Sequence, residues 1–177
     1  LAVLVKGEFM IKEGIMPMEV GAAIFHHVHG VGRVVSLEIR EWQGENTRYL
    51  VVEMMANRQT MRIPEASPHV RRVLSDPRII FKTLHQEAQD LPGDYRPRQA
   101  GIRDAVKSGQ PEKVAAAARD IRAYAESEQG SWTTGGRRLY EQALAMLIAE
   151  VAVSQDCDMG RARTQVTDAM REGPEGS

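Results

Sequence analysis

The stretch Arg33 to Trp42, RVVSLEIREW, sets the fold class of the first half of the chain. Val35, Leu37 and Ile39 fall on one phase of a two-residue alternation, and Ser36, Glu38 and Arg40 on the other. That is the pattern of a strand with one face on a core. Working outward, Gly44-Glu45-Asn46 carries turn chemistry and Arg48 to Met54 (RYLVVEM) returns as a strand. Ala56-Asn57-Arg58 marks a second turn. Thr60 to Ile63 is a further strand, ended by Pro64, which has no N–H to donate to a ladder. Upstream, Gly21 to His26 reads as a short strand, and Gly30 and Gly32 bracket a tight turn. Four short antiparallel strands in so little chain predict a small, strongly bent sheet or an SH3/Tudor-like barrel, because a flat sheet would leave its edges open.

After Pro64 the period changes to 3.6. Asp76-Pro77 opens a helix through about His85, and Leu91-Pro92-Gly93 breaks the pattern. A helix from about Arg98 to Lys107 ends at Ser108-Gly109, with glycine where a left-handed terminus needs it. Pro111 starts the next, with Val114, Ala117, Ala118, Ile121 and Ala125 on one face. Thr133 or Thr134 caps a long helix carrying Tyr140, Leu144, Leu147, Ile148 and Val151. Asp158 caps a last one carrying Met159, Ala162, Val166, Ala169 and Met170. The expectation is α+β: residues 18–67 form the β domain, and residues 68–171 a compact bundle of about five helices. Residues 1–17 read as a flexible extension and 172–177 as a disordered tail.

Composition narrows the function. The chain has 177 residues, 42% hydrophobic and 27% charged, an ordinary globular balance. Its 23 basic and 24 acidic side chains nearly cancel, which argues against tight autonomous binding of nucleic acid. Residues Tyr95 to Arg171 carry 12 basic against 10 acidic groups, only slightly positive. The single cysteine, Cys157, excludes an intrachain disulfide and a multi-cysteine zinc site, and fits a reducing, cytoplasmic setting. No apolar run approaches the ~20 residues of a membrane span.

No motif reads as an active site. The serine-hydrolase elbow and the phosphate loop are absent, and Gly30-Val31-Gly32 lacks the rest of a dinucleotide fingerprint. Cys157 lies between Asp156 and Asp158, a setting unsuited to a nucleophile. His26, His27 and His29 sit around a turn. As strand neighbours His26 and His27 would point to opposite faces, so they read as turn and edge-strand histidines, and no metal or cofactor is expected. Trp42 and Trp132 read as core or boundary residues. Arg40 and Arg62 lie on strands, solvated or part of a protein-docking face. Tyr95 lies in Gly93-Asp94-Tyr95-Arg96-Pro97-Arg98, where an exposed aromatic beside guanidiniums suits base stacking with phosphate contacts, or simply the solvated start of a helix.

The order of these parts resembles the CarD/CdnL family of bacterial RNA-polymerase-binding transcription regulators, over about Met18 to Arg171. The resemblance rests on Val20-Gly21 with His29-Gly30-Val31-Gly32-Arg33-Val34, on Arg48-Tyr49-Leu50-Val51-Val52, and on Met61-Arg62-Ile63-Pro64. In the helical half it rests on Lys107-Ser108-Gly109, on Ala118-Arg119-Asp120-Ile121, and on Gly136-Arg137-Arg138-Leu139 with Ala143, Leu147 and Glu150. It implies a Tudor-like domain that docks on the RNA polymerase β subunit, and a helical domain that reaches the upstream edge of the promoter bubble and its minor groove. The protein would be a monomer when bound to polymerase. Arg40 and Arg62 match the family's polymerase-contacting arginines. Tyr95 matches a tryptophan that wedges at the upstream fork, so the ring here is smaller. Arg96, Arg98 and Arg137 would then face DNA, while Pro97 and Ala100 replace basic positions. Two other readings stay open: a protein-only adaptor on another nucleic-acid machine, and a small metal-dependent enzyme built on His26, His27 and His29.

Overall fold

The computed structural model describes residues 17–42, 45–55, 57–73, 76–128 and 130–172. The arm before Pro17, the tail after Glu172, Gly44, Ala56 and the Trp42 side chain lie outside the described residues. Strands β1 (Ala23–His26), β2 (Gly30–Trp42), β3 (Glu45–Met54), β4 (Thr60–Pro64) and β5 (Val70–Arg72) form one antiparallel sheet in the order β4-β3-β2-β1-β5. Helices α1 (Arg78–Leu84), α2 (Tyr95–Ser108), α3 (Pro111–Glu126), α4 (Thr134–Ser154) and α5 (Met159–Glu172) follow. The α+β expectation holds, with a sheet that has one strand more than the sequence announces. The extra strand, VRR, is too short and polar to show a period. It pairs with β1, Phe25 opposite Arg71, so the sheet runs past the expected boundary at Ser67.

The β2–β3 register corrects the reading of RVVSLEIREW. Pairing slips between Val34 and Ser36, a β-bulge, after which Leu37 faces Leu50 and Glu38 faces Tyr49. A bulge inserts one unpaired residue and so reverses the phase. Val34 takes the inward place at 1% exposure, and Val35 is turned out. Ile39 keeps the phase of Leu37 but is 60% exposed, because it pairs with Arg48, beyond the point where Pro64 ends β4. Ile24, Val34, Leu50, Val52, Met54 and Ile63 make the sheet's core.

The helical core is aliphatic and alanine-rich, built from residues such as Ile80, Leu84, Val106, Ala118, Leu147, Val151 and Val166. Helix ends follow the sequence signals. Gly109 terminates α2 at φ 62°, Pro111 opens α3, and Thr133 accepts a hydrogen bond from Gly136 N at 3.0 Å to cap α4. Asp158 accepts one from Arg161 N at 2.9 Å at the start of α5. That bond holds its carboxyl below the usual aspartate range.

The two halves meet on a buried seam. Phe25 and Val31 of the sheet pack on Ala149 and Val153 of α4. Arg71 of β5 crosses the seam. Its Nε and Nη2 donate to the Gly109 carbonyl, and Nη2 lies 3.0 Å from Glu150 Oε2 on α4. The guanidinium also sits 4.6 Å from the Phe25 ring centroid. A side chain at Gly109 would overlap that ring, so the glycine serves both the left-handed cap and the close approach.

Candidate functional site

Two surfaces carry the residues singled out above. The first is the outer face of the sheet. Strand alternation and register place Glu38 and Arg40 of β2, Tyr49 and Val51 of β3, and Arg62 of β4 on it together. Arg40 and Arg62 both reach Glu38, at 2.8 and 3.1 Å, and each keeps about half of its side chain in solvent (54%). The Arg62 hydrogen bond, followed by that of Arg40, holds the Glu38 carboxyl below the usual range. Glu38 thereby fixes two guanidiniums side by side with donors left over. The sequence gives the phase of Arg40 but not its neighbour across two strands, since that depends on the bulge.

The second surface lies where α2 and α4 begin. Tyr95 is the first residue of α2, three positions earlier than the periodicity indicates, and the residue is 51% exposed. A Cβ on Gly135 would come 3.1 Å from the Tyr95 hydroxyl, so the ring rests against the first turn of α4. The N–H groups that open that turn, one of them capped by Thr133, make it the positive end of a long helix. Arg137 is exposed there, its guanidinium 5.4 Å from the Trp132 ring centroid. Arg96, Pro97 and Ala100 are exposed as well.

Arg98 departs from the expectation that it faces phosphate. It is 7% exposed. Its Nη1 donates to the carbonyls of Pro92 and Gly93, both at 2.7 Å. Its guanidinium lies 4.3 Å from the Tyr124 ring centroid and 5.9 Å from that of Tyr95. One turn into α2 the side chain points back under the loop, and its charge is spent on main-chain oxygens. Arg98 therefore braces the segment that presents Tyr95.

The histidines also differ from the sequence reading. His27 lies past the end of β1, so strand alternation does not separate it from His26, and their rings stack at 5.0 Å. His29 joins at 4.8 Å from His26, and His69, which the sequence reading passed over, at 4.2 Å from His27. Burial, followed by the neighbouring His29, His27 and His69, keeps His26 below the ordinary imidazole range.

Residues 18–75 match the family model of the CarD-like/TRCF RID domain, and residues 79–167, half of the chain, match that of the CarD C-terminal domain. The chain belongs to the CarD/CdnL family. The two matches fall on the sheet and on the helices, and between them take in both surfaces. This CarD/CdnL family member is accordingly a transcription-associated, RNA polymerase-interacting protein, of a family of transcription factors rather than enzymes. Among the described residues no helix is long and apolar enough to cross a membrane.

Proposed function

We propose that the outer face of the sheet docks on the β subunit of RNA polymerase through Arg40 and Arg62, and that Tyr95 meets the upstream edge of the promoter bubble. The observation that carries this reading is the ring of the half-exposed Tyr95, braced by Arg98 from below and set against the positive first turn of α4. A flat ring in that setting suits an unstacked base step, with Arg96 and Arg137 beside it for phosphate. Arg98 has no part in phosphate contact.

Charge explains why docking comes first. Affinity for DNA grows with the number of phosphates neutralised, and this chain's 23 basic side chains are offset by 24 acidic ones, which leaves no strong positive field. Once the sheet is seated on polymerase, the DNA contact becomes intramolecular, at an effective concentration that can reach ~mM. A ring that binds the melted fork better than intact duplex then shifts the equilibrium toward the open complex. A preference of about 1.4 kcal/mol changes that ratio tenfold.

The test is binding of purified core polymerase, with crosslinking to locate the subunit. Arg62→Glu is expected to abolish binding while the circular dichroism spectrum stays that of wild type. Unchanged affinity would remove the sheet face from the reading.

A further inference from the structure

Between the last turns of α3, the start of α4 and the end of α5 lies a cleft of about 350 Å³. That is the small end of the ~300–1,000 Å³ of ligand clefts, room for one molecule of mononucleotide size. Of the residues proposed above for DNA contact it takes in only Arg137. Trp132 and the half-buried Tyr140 form an aromatic corner in it, with ring centroids 5.0 Å apart and planes inclined by 57°. Three helices each add a guanidinium: Arg122 from α3, Arg137 from α4 and Arg171 from α5. Arg122 is anchored, its Nη1 donating to the Met170 carbonyl at 2.8 Å and its Nε to Glu126 Oε1 at 2.9 Å. Those two bonds leave its Nη2 with donors to spare. Arg171 reaches Asp168 only at 4.0 Å, and its side chain is 74% exposed. Glu126 and Glu141 share the cleft, so the three arginines leave it positive.

From this lining we infer that the cleft binds a nucleotide, a flat heterocycle carrying phosphate, with the ring on Trp132 and the phosphate between Arg122 and Arg171. Each half of such a ligand answers one half of the lining. An uncharged ring would leave the guanidiniums without an anion, and a bare anion would leave the indole unused. The Arg137 guanidinium lies 5.4 Å from the Trp132 ring centroid. A base stacked on the indole takes over that cation–π contact and releases Arg137 toward the phosphate. Burial pushes the Tyr140 hydroxyl above the ordinary tyrosine range, against the pull of Arg122. At neutral pH it is therefore a phenol that can donate to a phosphate oxygen. Glu141 suits the donors of a nucleoside, an exocyclic amine or a sugar hydroxyl. The same chemistry comes from two sources, a nucleotide in solution or an unpaired residue of a DNA strand. The inference does not rest on the proposed role of Tyr95, because neither that ring nor Arg96 lines the cleft.

The test is a titration of the full chain followed by proton–nitrogen correlation spectra, with the Trp132 indole N–H identified by its loss in Trp132→Phe. Adenosine diphosphate in magnesium-free buffer should shift that resonance and the backbone amides around Arg122 and Arg171, and the shifts should saturate. Adenosine alone and pyrophosphate alone should each bind roughly tenfold more weakly or worse. Arg171→Gln should weaken adenosine diphosphate binding roughly fivefold, whereas Arg103→Gln, at an exposed arginine of α2 outside the cleft, should not change it. A strand of five thymidylates supplies the second arm. Saturation of the same resonances at lower concentration than the diphosphate assigns the cleft to a DNA strand, and the reverse order assigns it to a nucleotide in solution. The wild-type titrations decide even if a variant folds poorly. No saturable shift with either probe, pyrophosphate binding as tightly as the diphosphate, or shifts confined to Tyr95 and Arg96 would overturn the inference.

Discussion

Replacing Arg71 with methionine tests whether the two halves act as one lever. Methionine keeps most of the apolar stem but removes every polar contact that Arg71 makes across the seam. Those contacts are the pair with Glu150, whose side chain is 3% exposed, and the bonds to the Gly109 carbonyl. Breaking a buried ion pair from one side costs about 3–5 kcal/mol, because the remaining charge is stranded. Arg71 itself is 30% exposed, so water reaches this pair; we discount the cost to about 2–3 kcal/mol. For a chain of this length that corresponds to a fall of roughly 4–12 °C in thermal midpoint. The discriminating step is the double variant. If the cost comes from the stranded carboxylate, adding Glu150→Gln to Arg71→Met should restore about 1–2 kcal/mol, whereas independent contacts would sum. Urea unfolding followed by circular dichroism gives the energies, and small-angle scattering reports whether the halves separate. A double variant as unstable as the sum of the two single ones would refute the buried-pair reasoning.

The remaining predictions concern both surfaces and one helix terminus. Tyr95→Ala should leave polymerase binding intact and shorten open-complex lifetime at several promoters, while Tyr95→Trp, with its larger ring, should lengthen it; an unaltered lifetime in both removes Tyr95 from the mechanism. Arg98→Ala should act in the same direction as Tyr95→Ala by loosening the Pro92–Gly93 loop, and it should also lower thermal stability, which Tyr95→Ala should not. Because hydrogen bonding holds Asp158 below its ordinary value, its cap is present above the unfolded-state pKa near 3.8 and is lost as pH falls through the lower folded value. Wild type should therefore lose α5 helicity in acid that Asp158→Ala already lacks at neutral pH, a difference visible in amide exchange.

Much of this was legible in the sequence because local chemistry fixes it. Gly109, Pro111, Thr133 and Asp158 mark helix boundaries through backbone needs that a single residue meets. What stayed hidden depends on long-range register. The bulge between Val34 and Ser36 has no composition of its own, so Val35 read as core. Strand β5 exists because Ile24, Phe25 and His26 offer it an edge, and its three residues show no period. Tyr95 and Arg98 read alike as a solvent-facing aromatic–arginine set, yet three residues along a helix they face different surroundings, one half exposed and the other buried against Tyr124. The family resemblance supplied positions, and only the packing distinguishes a guanidinium free for phosphate from one committed to carbonyls.

That distinction sharpens the case for tethering. With Arg98 committed to the fold, the cations left beside Tyr95 are chiefly Arg96 and Arg137, with the α4 dipole adding a fraction of a charge. So few phosphate contacts give a shallow salt dependence and weak binding to free DNA. Binding on polymerase-held DNA must then draw on orientation, which only a stiff connection between docking face and ring preserves. A seam loosened where Arg71 meets the Gly109 carbonyl and Glu150 would spread Tyr95 over many positions and dilute its effective concentration. Arg71→Met should therefore reduce open-complex lifetime at protein concentrations that saturate polymerase, although it touches neither surface. Equal lifetimes for wild type and Arg71→Met under saturation, with the halves shown to be separated, would mean that the linker alone suffices and that the seam serves stability only.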